Sequence, residues 1–271
     1  MKNLTKRIIK KCGFSINSIY TIQYLKHDFI SAIRNNYNNS SPAEKSILKF
    51  IIAHLLSDIE LSSPKSRSQL GQDFFALGAT SQSSSKFFVE IGGGDPIIAS
   101  NSYLLQESYG WSGIIVEPNP ELIKKTIDIR CNNGRVSVYP FALANRNGVE
   151  SFLPSGMLGT FERFIDGDFH SKQRTKLKNR EGLIKVETKT PYTFIEECNI
   201  KQIDFLSLDT EGSEWEIISN WPFELIRPVA ICIEVNNRSS ASEILQFLES
   251  KNYINVFAKL SKYDLWFIQK T

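Results

Sequence analysis

The sequence predicts an α/β protein, in which a mostly parallel seven-stranded sheet is closed by a C-terminal antiparallel hairpin and preceded by a helical region. From Phe87 onward, short β-branched or aromatic runs alternate with stretches of helical spacing, as parallel strands read when helices cover both faces of their sheet. Before residue 66, apolar positions recur at helical spacing only. The composition agrees, since 41% hydrophobic and 23% charged residues suit a chain that folds around a core. It excludes a disordered chain, a collagen and a coiled-coil rod.

Residues 1–65 form the helical region. Ile8, Ile9 and Phe14, then Ile19, Leu25 and Phe29, then Ile47, Leu48, Ile51, Ile52 and Leu55 mark three helices. The polar stretch 35–42 ends one of them, and Ser41 before Pro42 supplies an N-cap with proline at the first helical position. Residues 66–271 form the sheet domain. Its strands are expected at 87–89, 113–116, 136–139, 205–208 and 229–233, with helices at 101–109, 120–132, 191–198, 214–220 and 242–250. Segments 255–259 and 263–268 flank a Leu-Ser-Lys turn and make the hairpin. Outside this pattern lie the polar loop 79–85 and the stretch 154–185, which reads as an irregular, charged insertion.

Thirty-two Lys and Arg against 29 Asp and Glu leave a net charge of +3, too mild for a dedicated nucleic-acid binder. The four cysteines, at 12, 131, 198 and 232, form no CxxC pair, so they read as reduced thiols of a cytoplasmic protein. The N-terminus carries Lys2, Lys6, Arg7, Lys10 and Lys11 without the apolar stretch of a secretory signal. The most apolar window, 46–61, is interrupted by Lys49, His54, Asp58 and Glu60, so no transmembrane segment is expected. The apolar faces of the N-terminal helices suit packing on the sheet or on a second copy, which leaves a homo-oligomer open.

The chemistry gathers at strand ends. Phe87 to Ile91 leads into Gly92-Gly93-Gly94-Asp95, an acidic strand end followed by a glycine turn where open α/β sheets bind ligands. The dinucleotide fingerprint fails because position 97 is Ile, no Walker sequence is present, and Glu90 opposes a pyrophosphate. Glu90, Gly92 and Gly94 therefore suit a nucleoside cofactor. The next strand ends in Glu117-Pro118-Asn119, and Glu117, 25 residues after Gly92, is placed to accept both hydroxyls of a ribose or to serve as a helix-start charge. Around Ala142, the stretch 140–143 suits either an adenine wall or core. Asp209 and Glu211 follow the fourth strand and Glu234 ends the fifth. Asp209 and Glu234 can act as a proton acceptor and its modulator, or as hard oxygen ligands for Mg²⁺. His170, in the charged insertion, is a third candidate base, whereas His27 and His54 read as structural or solvent-facing. Lys172, Arg174, Lys176, Lys178 and Arg180 alternate along the insertion as a phosphate-recognising lid or a solvated loop. Phe161, Phe164 and Phe169 beside them suit a sugar face or an anchor for that loop.

Together these segments resemble the FkbM family of S-adenosylmethionine-dependent methyltransferases. The residues that carry the resemblance are Ser68 to Asp73, Phe88 to Gly92, Ser100 to Tyr103, Gly110 to Gly113 with Glu117-Pro118-Asn119, and Leu206 to Gly212. The resemblance implies a Rossmann-like class I methyltransferase fold with S-adenosylmethionine held at the glycine turn, at Glu117 with Pro118 and around Asp209. It also brings Gln72 and Asn101, which lie in matching stretches, into the cofactor set. Its usual chemistry is O-methylation of a hydroxyl, here of a carbohydrate such as a sugar nucleotide or glycan precursor. The alternatives are O-methylation of a small secondary metabolite and a non-catalytic Rossmann-like binding module. The chain departs from the family at Gly93-Gly94-Asp95-Pro96, where Pro96 removes a backbone donor and stiffens the turn.

Overall fold

The computed structural model describes residues 37, 40–59, 66–235, 238–258, 261 and 263–270, with side chains omitted at 51–59, 238 and 239. The two helices expected before residue 37 lie outside the described residues, as do Cys12, His27 and Asn236. The third is α1 (Pro42–Ile59). Its start is the predicted one: Ser41 Oγ accepts from Glu44 N at 3.2 Å while Glu44 Oε2 accepts from Ser41 N at 2.8 Å, a reciprocal capping box. Helix α2 (Gln72–Ala79), which the sequence reading missed, follows.

The main sheet contains β1 (Phe87–Ile91), β2 (Ser112–Val116), β3 (Val136–Tyr139), β8 (Phe205–Leu208), β9 (Ala230–Glu234), β10 (Tyr253–Val256) and β11 (Asp264–Gln269). Their order across it is β10-β11-β9-β8-β1-β2-β3. The first five named pair in parallel, and β11 runs antiparallel to both β9 and β10, as the hairpin predicts. The near-continuous apolar runs have a direct cause. Along β1, Phe88 enters one buried cluster, with Leu48, Phe74, Leu105, Phe205 and Trp266. Its neighbours Val89 and Ile91 enter another, with Phe194, Leu206, Ile217, Ile233 and Ile244. Successive side chains of a strand point to opposite faces, so both faces are core. Helices α1, α2 and α3 (Tyr103–Tyr109) supply the first face. Helices α6 (Pro191–Glu197), α7 (Glu214–Ser219) and α8 (Arg238–Ser250) supply the second.

The stretch 154–185 corrects the expectation of irregularity. A second, four-stranded sheet of order β4-β7-β5-β6 assembles around it from β4 (Ala142–Leu143), β5 (Gly148–Leu153), β6 (Thr160–Phe161) and β7 (Ile184–Lys189). Between β6 and β7 runs α5 (Ser171–Glu181). The alternating cations therefore sit on a helix, where a two-residue step turns about 200° and divides them between two sides, with Lys172, Lys176 and Arg180 along one exposed face and Arg174 and Lys178 on the other. The five do not make one basic lid. Lys178 pairs with Glu162 and Arg180 with Glu181. Arg174 is fully buried, held by Asp168 at 2.8 Å and by Glu211, so it is a structural cation and not a lid residue.

Candidate functional site

Going outward from β1, chain order rises through β2 and β3 on one side, whereas the other side begins with β8, so the crevice at the carboxyl ends of β1 and β8 is a topological switch point. A cleft of about 790 Å³ opens there.

Its floor is built on Glu90. The buried carboxylate accepts from Asn101 N at 2.7 Å and from Ser102 Oγ at 2.5 Å, with Ser100 Oγ at 3.2 Å. Behind it the buried guanidinium of Arg130, on α4 (Pro120–Arg130), donates to Ser102 Oγ, Ser100 Oγ and Pro96 O. This knot explains why α3 begins at Tyr103, two residues later than expected, since 100–102 are tied to Glu90. Gly92 has φ +80°, and a Cβ there would stand 1.8 Å from Asp209 O, so only glycine lets β1 turn beside β8. Pro96 leaves the turn intact because the preceding side chain caps it, Asp95 Oδ1 accepting from Ile97 N and Ile98 N at 3.0 and 2.9 Å.

Glu117 ends β2 and turns back over the glycines. One carboxylate oxygen accepts from Gly94 N at 2.9 Å and the other from Asn119 N at 2.8 Å. Burial pushes its pKa up to about 7, and these two amide bonds oppose the rise. The competing helix-start role belongs to Asn119, whose Oδ1 accepts from Glu121 N. Pro118 continues the wall, the second sheet adds Ala142, Leu143, Phe152 and Phe161, and Met157 comes from the turn between β5 and β6. Phe141 is core instead, packed against Phe194. The strands β4 and β6 escaped the sequence reading because two-residue strands carry no periodicity, although Ala142 and Phe161 within them were singled out.

At the far end lie the acids. Carboxylate oxygens of Asp209, Glu211 and Glu234 sit within 4.8 Å of one another. Asp209 is pushed well up by burial and by the adjacent Glu234; Glu211 is pushed up by burial and Glu234, against the pull of Arg174. A smaller cavity of about 270 Å³ adjoins the cleft across Ala99, Asn101, Ser207 and Asp209, and reaches Glu234 and Asp264. His170 sits at the start of α5, its ring 4.0 Å from that of Phe169 and its amide donating to Asp168 Oδ1 at 2.7 Å. Burial lowers its pKa, while the charges of Asp168 and Glu234 oppose the change.

The cleft thus gathers Glu90, Gly92, Gly94, Asn101, Glu117, Pro118, Ala142 and Asp209. Gln72 is elsewhere: it lines the smaller cavity, where its amide donates to Asp264 Oδ2 at 2.7 Å and accepts from Leu70 N at 2.8 Å. Glu234 lines that cavity too. Phe161 and Phe164 are anchors, the first buried against Phe152 and the second packed on Gly212. Phe169 is exposed.

A seven-stranded sheet of this order, with a glycine turn and an acidic second-strand end on one crevice, is the fold of class I S-adenosylmethionine-dependent methyltransferases. The methyltransferase FkbM domain matches residues 90–254, and the chain belongs to that family. Among solved structures it is similar to the methyltransferase FkbM of Methylobacillus flagellatus KT, with 12% identity over 98% of this chain and 70% of that one and a TM-score of 0.44. It is also similar to a putative caffeoyl-CoA O-methyltransferase from Staphylococcus aureus, with 10% identity over 89% and 99% and a TM-score of 0.46. An O-methyltransferase from Bacillus cereus in complex with SAH shares 10% identity over 88% and 95%, with a TM-score of 0.40. No curated protein matches the sequence. No described helix is long and apolar enough to cross a membrane.

Proposed function

We propose that this methyltransferase transfers the methyl group of S-adenosylmethionine to a hydroxyl of a carbohydrate, a sugar nucleotide or glycan precursor. The cofactor supplies an electrophilic methyl on a sulfonium. The residues of the cleft fit it. Glu117 presents a buried carboxylate that accepts ribose hydroxyls, Ala142 and Leu143 make an apolar adenine wall, and Gly92, Gly94 and Asn101 line the turn where the amino-acid part lies. Methyl transfer is an in-line displacement, so the protein must align the acceptor oxygen and help remove its proton. Asp209 borders both cavities and meets that oxygen, and Glu234 beside it completes the group that orients the hydroxyl and takes its proton; His170 lines neither cavity and acts on this group only through charge.

The observation that carries the carbohydrate reading is the carboxylate cluster at the acceptor end. It offers several acceptors to neighbouring hydroxyls, as a polyol requires and an apolar metabolite does not. The test is calorimetric titration with S-adenosylhomocysteine against NAD, repeated on Glu117→Ala, followed by methyl-transfer assays on sugar nucleotides and on apolar phenols. The expected result is binding of S-adenosylhomocysteine alone, weakened at least tenfold in the variant, and methylation of a sugar. A folded protein that does not bind S-adenosylhomocysteine would instead support a non-catalytic binding module, and methylation of phenols alone would remove the carbohydrate.

A further inference from the structure

Helix α5, tied to the acceptor end through Arg174 and Glu211, turns a different face outward. The exposed residues Lys172, Gln173, Thr175, Lys176, Asn179 and Arg180 share that side. At about 100° per residue, the three cations fall within an arc of about 80° and span about 12 Å of the axis. No carboxylate lies among them. Glu181, the one acid of the helix, stands about 100° round from Arg180 and pairs with it. Arg174 and Lys178 are on the other side, taken by Asp168, Glu211 and Glu162. Lys172 and Lys176 form no ion pair among the described residues.

A second observation is independent of the charge. Phe169 is 68% exposed, more than any other large apolar side chain among the described residues. It precedes Lys172 by three residues, so an aromatic ring stands at the head of the basic stripe. None of the four residues lines the cleft or the smaller cavity. A phosphate on a small ligand is gripped by donors that converge on it, and a protein partner covers an apolar patch. A convex helix face with one apolar side chain at its end offers neither. Parallel cations on long stems, with a ring beside them, suit an extended anionic surface into which the ring inserts at headgroup level.

We infer that this face of α5, Lys172, Lys176 and Arg180 with Phe169, docks on a lipid surface that carries anionic headgroups. Three cations make the attachment reversible and sensitive to salt. Its use, presenting the cleft to an acceptor carried in that lipid, rests on the methyltransferase reading. The docking surface itself does not.

The test is co-sedimentation of the full chain with vesicles of phosphatidylcholine, alone and with about one-third phosphatidylglycerol, at low salt and at about 0.5 M salt. Binding is expected to the anionic vesicles only, and only at low salt. It should fall at least tenfold in Lys172→Glu/Lys176→Glu/Arg180→Glu. Phe169→Ala, which alters no charge, should weaken it about threefold. The control reverses three exposed cations at the amino ends of β1, β3 and β8, in Lys86→Glu/Arg135→Glu/Lys201→Glu, and should bind within twofold of the wild type. Urea midpoints close to that of the wild type show that the variants are folded. Absence of binding to anionic vesicles at low salt overturns the inference. So does binding that the α5 variant retains, which would belong to the cations of the N-terminus, and so does an equal loss in the control, which would mean diffuse attraction. Binding of a polyglutamate peptide, run in parallel, without binding of vesicles would assign the face to an acidic protein instead. Vesicle binding by protein that does not bind S-adenosylhomocysteine leaves the docking surface standing and removes the methyltransferase reading.

Discussion

At Glu117 two effects of pH run in opposite directions. Its pKa is about 7 in the folded protein against 4.5 for a carboxyl in the unfolded chain, so between those values the folded state holds the extra proton. The stability this group contributes is fully present below about pH 4.5 and is lost as pH rises through 7, a change of roughly 3 kcal/mol. With Glu117 in its proposed place against the cofactor, ribose hydroxyls would donate to the ionised form, so affinity for S-adenosylhomocysteine should rise about tenfold from pH 6 to pH 8. Urea unfolding and calorimetry across this range measure the two slopes, and Glu117→Gln should flatten both. At Gly92 the effect is steric, because Ala would place a Cβ 1.8 Å from Asp209 O with φ at +80°. Gly92→Ala should cost about 3 kcal/mol or more in urea unfolding and abolish S-adenosylhomocysteine binding. Gly92 and Glu117 were readable in the sequence because each closes an apolar strand run. Arg130 was not, since the Glu90 serines it braces lie about thirty residues away in the chain.

Among the elements, α5 shows how a charge pattern can mislead. Five alternating cations suggested a phosphate-recognising lid or a solvated loop, but the helix leaves Lys172, Lys176 and Arg180 on one exposed face and buries Arg174 between Asp168 and Glu211. Which of five similar residues is buried depends on where partners from other segments stand. Removing this buried cation takes the shared ion-pair partner from Asp168 and Glu211, so Arg174→Met should destabilise the protein by about 3–5 kcal/mol. The opening should be local first, seen as faster limited proteolysis within 154–185 at a urea concentration where the main sheet stays folded. Retention of the wild-type cleavage rate would mean that α5 is held by other contacts. Strands β4 to β6 escaped notice for a related reason: two of them are two residues long and exist only through pairing with β5 and β7.

For the whole molecule, the decisive feature is a sheet buried on both faces. Leu48 of α1 is fully buried with Phe74, Phe88 and Trp266, so the described part of the N-terminal region closes one of those faces. Leu48→Ala should cost about 2–5 kcal/mol in urea unfolding while leaving S-adenosylhomocysteine affinity in native buffer within twofold. A loss under 0.5 kcal/mol would show that α1 is dispensable to this core. The sequence by itself determined the α/β class, the five parallel strands with their closing hairpin, and the acidic and glycine positions at the strand ends. Those are local properties, carried by runs of a few residues whose periodicity and turn chemistry need no partner. Only the tertiary structure decided that Gln72 pairs with Asp264 outside the main cleft, that a second sheet lines part of that cleft, and that Asp209, Glu211 and Glu234 converge. Each of these joins segments far apart in the chain, and their meeting is set by strand order and packing, which no local pattern encodes.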